Sequence, residues 1–285
     1  MKLRQLTCTG IRSARHAMKL VLSTKILISG ISVTALHILL AEIKLTIKKI
    51  LGVGIVLQGL ISADGTTVTY GKILNCTGLH ISVFTDHLPY PCKFFHDAEA
   101  AAQFELWSHP SLKDFIYLNI RSHLSGALIV NRSSLKGTDL KSGVFEHMTL
   151  IPNGRPCYCG RRGCMETYCS TQPLIDVTGH LHTFFEELRK GNRTCQECWN
   201  TYLLNLAAAI NNLRMFIDYP VLIGGTLSPY LTEEDIDTLH RYASEKSAFP
   251  TEQRFIRQGQ NQKALRCEGA AISYVKEYLH EIMNL

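Results

Sequence analysis

His147, Cys157, Cys159 and Cys164 place one imidazole and three thiols at intervals of ten, two and five in a stretch broken by Gly154, Gly160 and Gly163. One nitrogen and three sulfur donors fill a tetrahedral shell of the kind Zn²⁺ prefers. Four protein donors leave no position for a reactive water, so the ion these residues would hold is structural. The competing reading is three buried thiols near a chance histidine, but packing alone gives cysteines no reason to keep such intervals. Cys195-Gln196-Glu197-Cys198 is a second, lone pair. No partner pair stands near it, and the flanking Arg193 and Trp199 point to a helix start with structural thiols.

The rest of the chain must provide the frame. With 285 residues, 46% of them apolar and 19% charged, it can bury a sizeable core and is not a disordered segment. Ten cysteines in a chain of this length do not make a secreted disulfide scaffold, and a zinc set needs thiolates, so a reducing cytoplasm is expected. Lys2, Arg4, Arg12, Arg15, Lys19 and Lys25 precede the first acid, Glu42, and these six charges equal the formal net of +6. So scattered a set forms a solvated face more readily than a nucleic-acid arm. The apolar stretch from Ile26 to Ala41 contains Ser29, Ser32, Thr34 and His37 and is too short for a bilayer; no membrane partner is expected.

Periodicity gives strands at Leu6 to Ile11, Ala17 to Ser23 and Ile26 to Val33, a helix from Ala35 to Ile50, and a strand from Leu51 to Leu57 closed by Gly59. A turn at Ala63-Asp64-Gly65 and the segment Asn75-Cys76-Thr77-Gly78 follow. Next come a strand at Lys93 to Phe95 and a helix from Ala98 to Trp107. Phe115 to Ile120 and Gly126 to Asn131 form a hairpin ahead of the cysteine loop. An alanine-rich helix at Leu203 to Leu213 serves core or interface, Val221 to Ile223 is a strand, and a long terminal helix begins at Ala270. The expected class is α/β with two lobes.

The cysteine run, with Glu166 trailing its last thiol, resembles the zinc loop of the ROK family of bacterial sugar kinases and sugar-responsive repressors. The resemblance spans roughly Gly52 to Tyr278 and implies an actin-like, hexokinase-like (ribonuclease H-like) fold. A smaller lobe would take 1–95 plus 272–285, and a larger lobe 96–271 would carry the zinc loop. His96-Asp97-Ala98-Glu99 resembles the family's Asn-Asp-Ala-Asn, which puts Asp97 at the position of the base that receives the sugar hydroxyl proton; locally, Asp97 is equally a cap for the following helix. The resemblance implies sugar contacts at Asn75, His96, Asp97, His147 and Glu166. Gly143-Val144-Phe145-Glu146-His147 has Val144 where the family has a carboxylate, and Glu146 stands two positions on.

The phosphate segments diverge further. Cys8-Thr9-Gly10-Ile11-Arg12-Ser13 is the nearest match to the family's Asp-x-Gly-x-Thr and lacks its acid, and Asp64-Gly65-Thr66 reads as a plain turn. Arg121-Ser122-His123-Leu124-Ser125-Gly126-Ala127 stands where the family has a glycine-rich phosphate loop, and side chains there obstruct backbone approach to a phosphate. Gly224-Gly225 resembles the nucleotide-side glycine pair, though glycines after a buried strand also serve simple turns.

These features favour a non-catalytic, regulator-like sugar-binding protein with structural Zn²⁺, taking a sugar or phosphosugar. The alternative is an ATP-dependent hexose or N-acylhexosamine kinase, which would need Mg-ATP. The resemblance favours a homodimer, and without a helix-turn-helix, direct DNA binding is not expected.

Overall fold

The computed structural model describes residues 51–283 except 87, 250, 252 and 261–264. The three strands and the helix expected ahead of Leu51, and Cys8 to Ser13, lie outside the described residues. Among the described residues, 51–100 with 266–283 make one compact unit and 101–265 another.

In the first unit β1 (Val53–Leu57) pairs in parallel with β4 (Cys92–His96), with Val53 opposite Cys92 and Leu57 opposite His96. Between them β2 (Leu60–Ile61) and β3 (Val68–Tyr70) form an antiparallel pair, and the short α1 (Ser82–Thr85) follows. Leu57, Ile61, Val68, Ile81, Phe84, Leu88 and Phe94 form the core of this unit. The Asp64-Gly65-Thr66 segment is the turn its composition suggested. Gly65 sits at φ +75° and donates to Ser62 O, while Asp64 accepts from the Ser62 hydroxyl at 2.5 Å and from Thr66 N at 3.0 Å. Those hydrogen bonds, the one from Ser62 foremost, hold the Asp64 carboxyl down at about 2.

Helix α2 (Asp97–Ser108) begins in the first unit and continues into the second. The terminal helix, Leu265–Met283, starts five residues before the expected Ala270. Gly269 therefore lies inside the helix, where a Cβ would fall 1.6 Å from Ala100 O. Glycine is the residue that lets the two backbones meet. Tyr274 closes the same face by donating to Val53 O at 3.0 Å.

The second unit is built on a five-stranded sheet in the order β7-β6-β5-β8-β9. Strands β5 (Phe115–Ile120) and β6 (Leu124–Val130) are antiparallel, β8 (Val221–Gly225) lies parallel to β5 on its other side, β9 (Ile256–Gln258) continues beyond it, and β7 (Ser133–Ser134) forms the opposite edge. Every residue of β5 is buried, as its near-continuous apolar run requires of a central strand. Strand β6 begins at Leu124, opposite Ile120, two residues ahead of the expected Gly126. Only Arg121, Ser122 and His123 remain as the hairpin turn.

Helices α3 (Glu166–Cys169), α4 (Gln172–Thr178), α5 (Leu181–Arg189), α6 (Arg193–Phe216) and α7 (Glu233–Lys246) accompany this sheet. Helix α6 starts where the Cys195 pair suggested, with the Asn192 side chain accepting from Cys195 N. Leu203, Leu206, Ala207, Ala209, Ile210 and Leu213 of the alanine-rich stretch are buried in the core. Among the described residues no helix is long and apolar enough to cross a membrane.

Candidate functional site

The segment Phe145–His147 forms one 3-10 turn, placed by two glycines. A Cβ on Gly126 of β6 would meet the Phe145 ring at 2.3 Å, and Gly143, at φ +90°, packs on the backbone of Ala127. His147 is thereby held to the sheet, and the chain turns back through the cysteine loop. Isolated bridges pair Thr149 with Cys164 and Pro156 with Arg162, so the loop is a small ribbon. Gly163 lies at φ +80° with Ile151 O only 1.8 Å from where its Cβ would be, and Gly160 lies at φ +93°.

The ribbon gathers the four expected ligands. One donor atom each from His147, Cys157, Cys159 and Cys164 lies within 4.8 Å of every other. Cys159 Sγ stands 3.7 Å from Cys164 Sγ, and Cys157 Sγ 3.8 Å from His147 Nδ1. Two thiolates bound tetrahedrally at a Zn–S length of ~2.3 Å stand about 3.8 Å apart, so these two separations match a tetrahedral zinc shell. Burial pushes the Cys157 thiol up to about 12. A cation at the centre would supply the charge that favours its thiolate.

Glu166, immediately beyond the loop and buried, opens α3. Its Oε2 accepts from Leu124 N at 2.7 Å, and its Oε1 lies 2.7 Å from His123 Nδ1. The carboxylate therefore reaches the β5–β6 turn, the segment that resembles a phosphate loop. His123 also meets Tyr158 edge to face at 5.4 Å, and Tyr158 meets His147 in the same manner at 5.1 Å. Sequence reasoning missed both His123 and Tyr158. The available signals were a histidine third in a would-be glycine loop and an aromatic between two ligand cysteines.

In the first unit, Asp97 is the first residue of α2, not the residue before it, and is buried. His96 Nε2 lies 3.8 Å from Asp97 Oδ1 and Arg266 Nη1 3.8 Å from Oδ2, a cationic neighbour absent from the sequence reading. His96 and Asp97 are thus side by side. Asn75 is exposed, at φ +50°, and its N–H donates to Lys72 O; no described contact joins it to His96 or Asp97.

Gly224 and Gly225 lie opposite Asn119 and Ile120 in the β5–β8 ladder. A Cβ on Gly224 would fall 1.9 Å from Tyr117 Oη, and one on Gly225, at φ +85°, 2.2 Å from Ile120 O. Packing within the sheet by itself demands glycine at both positions.

The ROK family model matches residues 17–264. The N-acetylmannosamine kinase of Haemophilus influenzae (strain PittEE) is 25% identical over 165 residues, which cover 55% of this chain and 54% of that protein. The xylose repressor of Caldicellulosiruptor bescii is 22% identical over 225 residues, 71% of this chain and 56% of the repressor. The chain spans about half the length of these curated relatives. Among solved structures, a ROK glucokinase from Streptomyces griseus in complex with glucose and AMPPNP superposes with a TM-score of 0.74 at 18% identity, covering 85% of this chain and 86% of that one. The ROK hexokinase of Thermus thermophilus gives 0.70 at 17% identity, with 90% and 89% covered. The four-donor loop, its trailing glutamate and the fold arrive together with a match over most of the sequence, and the chain belongs to the ROK family, with the actin-like α/β fold of its hexokinases.

Proposed function

We propose that this chain is a sugar-binding ROK protein of the regulator type, working in the cytoplasm, with a structural zinc and no phosphoryl transfer of its own. The observation that carries this reading is the β5–β6 turn. Phosphoryl transfer relies on backbone N–H groups that reach the phosphates. Here the turn is Arg121-Ser122-His123; its His123 side chain is bound to Glu166, and the N–H of Leu124 is spent on the same carboxylate. Asn75, His96, Asp97, His147 and Glu166 are the candidate sugar contacts. His147, Cys157, Cys159 and Cys164 would hold Zn²⁺, which would fix the ribbon that leads into Glu166 and, with four protein ligands, would leave no open position for substrate. The ligand is a sugar or phosphosugar, and the functional form a homodimer.

A second reading, an ATP-dependent hexose or N-acylhexosamine kinase using Mg-ATP, is favoured by the relatives named N-acetylmannosamine kinase and by buried Asp97 at the base position. Coupled ADP release with Mg-ATP across glucose, mannose, fructose, allose, N-acetylglucosamine and N-acetylmannosamine decides between them, with Asp97→Asn as the control. The expected result is calorimetric binding of at least one sugar with no turnover. Turnover that disappears in Asp97→Asn makes the protein a kinase.

A further inference from the structure

His123 has no part in the readings above except as an obstruction, yet its surroundings give it a defined chemical role. A carboxylate only accepts hydrogen bonds. Glu166 already accepts the Leu124 N–H on Oε2, and its Oε1 stands 2.7 Å from His123 Nδ1, so Nδ1 is the nitrogen that carries the proton. Nε2 then faces away from Glu166, and it has no hydrogen-bond partner among the described residues. The side chain is 37% exposed, so a ligand can reach it. The ring is fixed on a second side by Tyr158, edge to face at 82°. Glu166 and Tyr158 together hold one acceptor in one orientation, the arrangement that makes a side chain selective rather than adhesive.

We infer that His123 is a specificity-determining contact of the Glu166 site, its Nε2 accepting a hydrogen bond from a sugar hydroxyl next to the one that Glu166 binds. The inference rests on the proposed sugar-binding role of Glu166 and deepens it by stating the ligand class, an uncharged sugar offering a vicinal diol. A glycine turn presents N–H donors and attracts phosphate. Here the Glu166 carboxylate of α3 and the His123 imidazole lone pair, both acceptors, stand at the turn, and the Leu124 N–H is already taken by Glu166. Two neighbouring hydroxyls donate to that pair, whereas a phosphate ester at either position brings only acceptor oxygens and negative charge towards Glu166. Between the free sugar and the phosphosugar, the geometry points to the free sugar.

The test is calorimetry on the intact zinc-loaded protein with glucose, mannose and N-acetylmannosamine, then with the monodeoxy analogues and phosphate esters of whichever binds. His123→Phe keeps a ring against Tyr158 and removes both nitrogens; His123→Ala removes the ring as well. Wild type should bind one monodeoxy analogue five- to tenfold more weakly than the parent sugar. In both variants the parent should weaken by a similar factor, and that analogue should carry no further loss. Nitrogen-15 NMR, with the His123 signals assigned by their absence in the variants, should find the proton on Nδ1. Equal affinity of wild type and His123→Phe with the deoxy penalty unchanged, a proton on Nε2, or tighter binding of an ester at the identified position overturns the inference and leaves the sugar site standing. Binding of none of the three sugars by wild type overturns both.

Discussion

Cys159 is the most exposed of the three clustered thiols, and its sulfur touches Cys164 at 3.7 Å, so removing it opens the donor set with little loss of packing. Cys159→Ala should bind no zinc at stoichiometric metal, lower the thermal midpoint by several degrees and abolish any sugar-dependent shift. Metal analysis and thermal scans with and without sugar check this, and normal zinc content with an intact sugar response would refute it. The ligands were legible because a metal imposes intervals on the chain that survive without knowledge of the fold. His123 was not legible, because its partner Glu166 lies 43 residues away and the pairing depends on where β6 begins. Tyr158 reads as an ordinary loop aromatic until the ribbon folds and sets its ring between two imidazoles.

At the scale of elements, the buried strands were legible from apolar runs, and the boundaries erred where one backbone approaches another. Gly126 looks like the start of a strand after a loop, but β6 has already been pairing since Leu124, and the glycine sits mid-strand to admit the Phe145 ring. Gly269 looks like the residue before a helix, but it lies inside one and faces Ala100. Gly269→Ala should therefore cost about 2 kcal/mol or more, in the range of overpacked cores, although alanine is the better helix former. Denaturant unfolding followed by far-ultraviolet circular dichroism measures it. A variant as stable as wild type would mean that the two backbones separate freely.

The whole molecule answers to pH in a manner that depends on its metal. Burial raises the Cys157 thiol to about 12 and lifts Cys169 as well. A thiol whose folded value lies above its unfolded value of about 8.5 contributes stability that is complete below that value and is lost as the pH climbs from there. Metal-free protein should therefore lose thermal stability steadily above pH 9. Zinc-loaded protein should instead weaken towards acid, where protons displace the metal from its thiolates. Unfolding midpoints from pH 5 to 11, with zinc and with a chelator, test both limbs, and a flat alkaline limb in chelator contradicts the first.

At this scale the α/β class and family were legible because the zinc loop is so specific a pattern, while the cation beside Asp97 was not, since Arg266 is 169 positions away and its approach is a property of the fold. The Gly224 contact with Tyr117 bears on how such chains change over time. The hydroxyl of one strand occupies the space a methyl would need on the next, so the two positions form one heritable unit. A lineage can lose every use for a nucleotide and still keep this glycine until the tyrosine shrinks. Packing of the sheet alone is then reason enough for the glycine and the tyrosine to persist together.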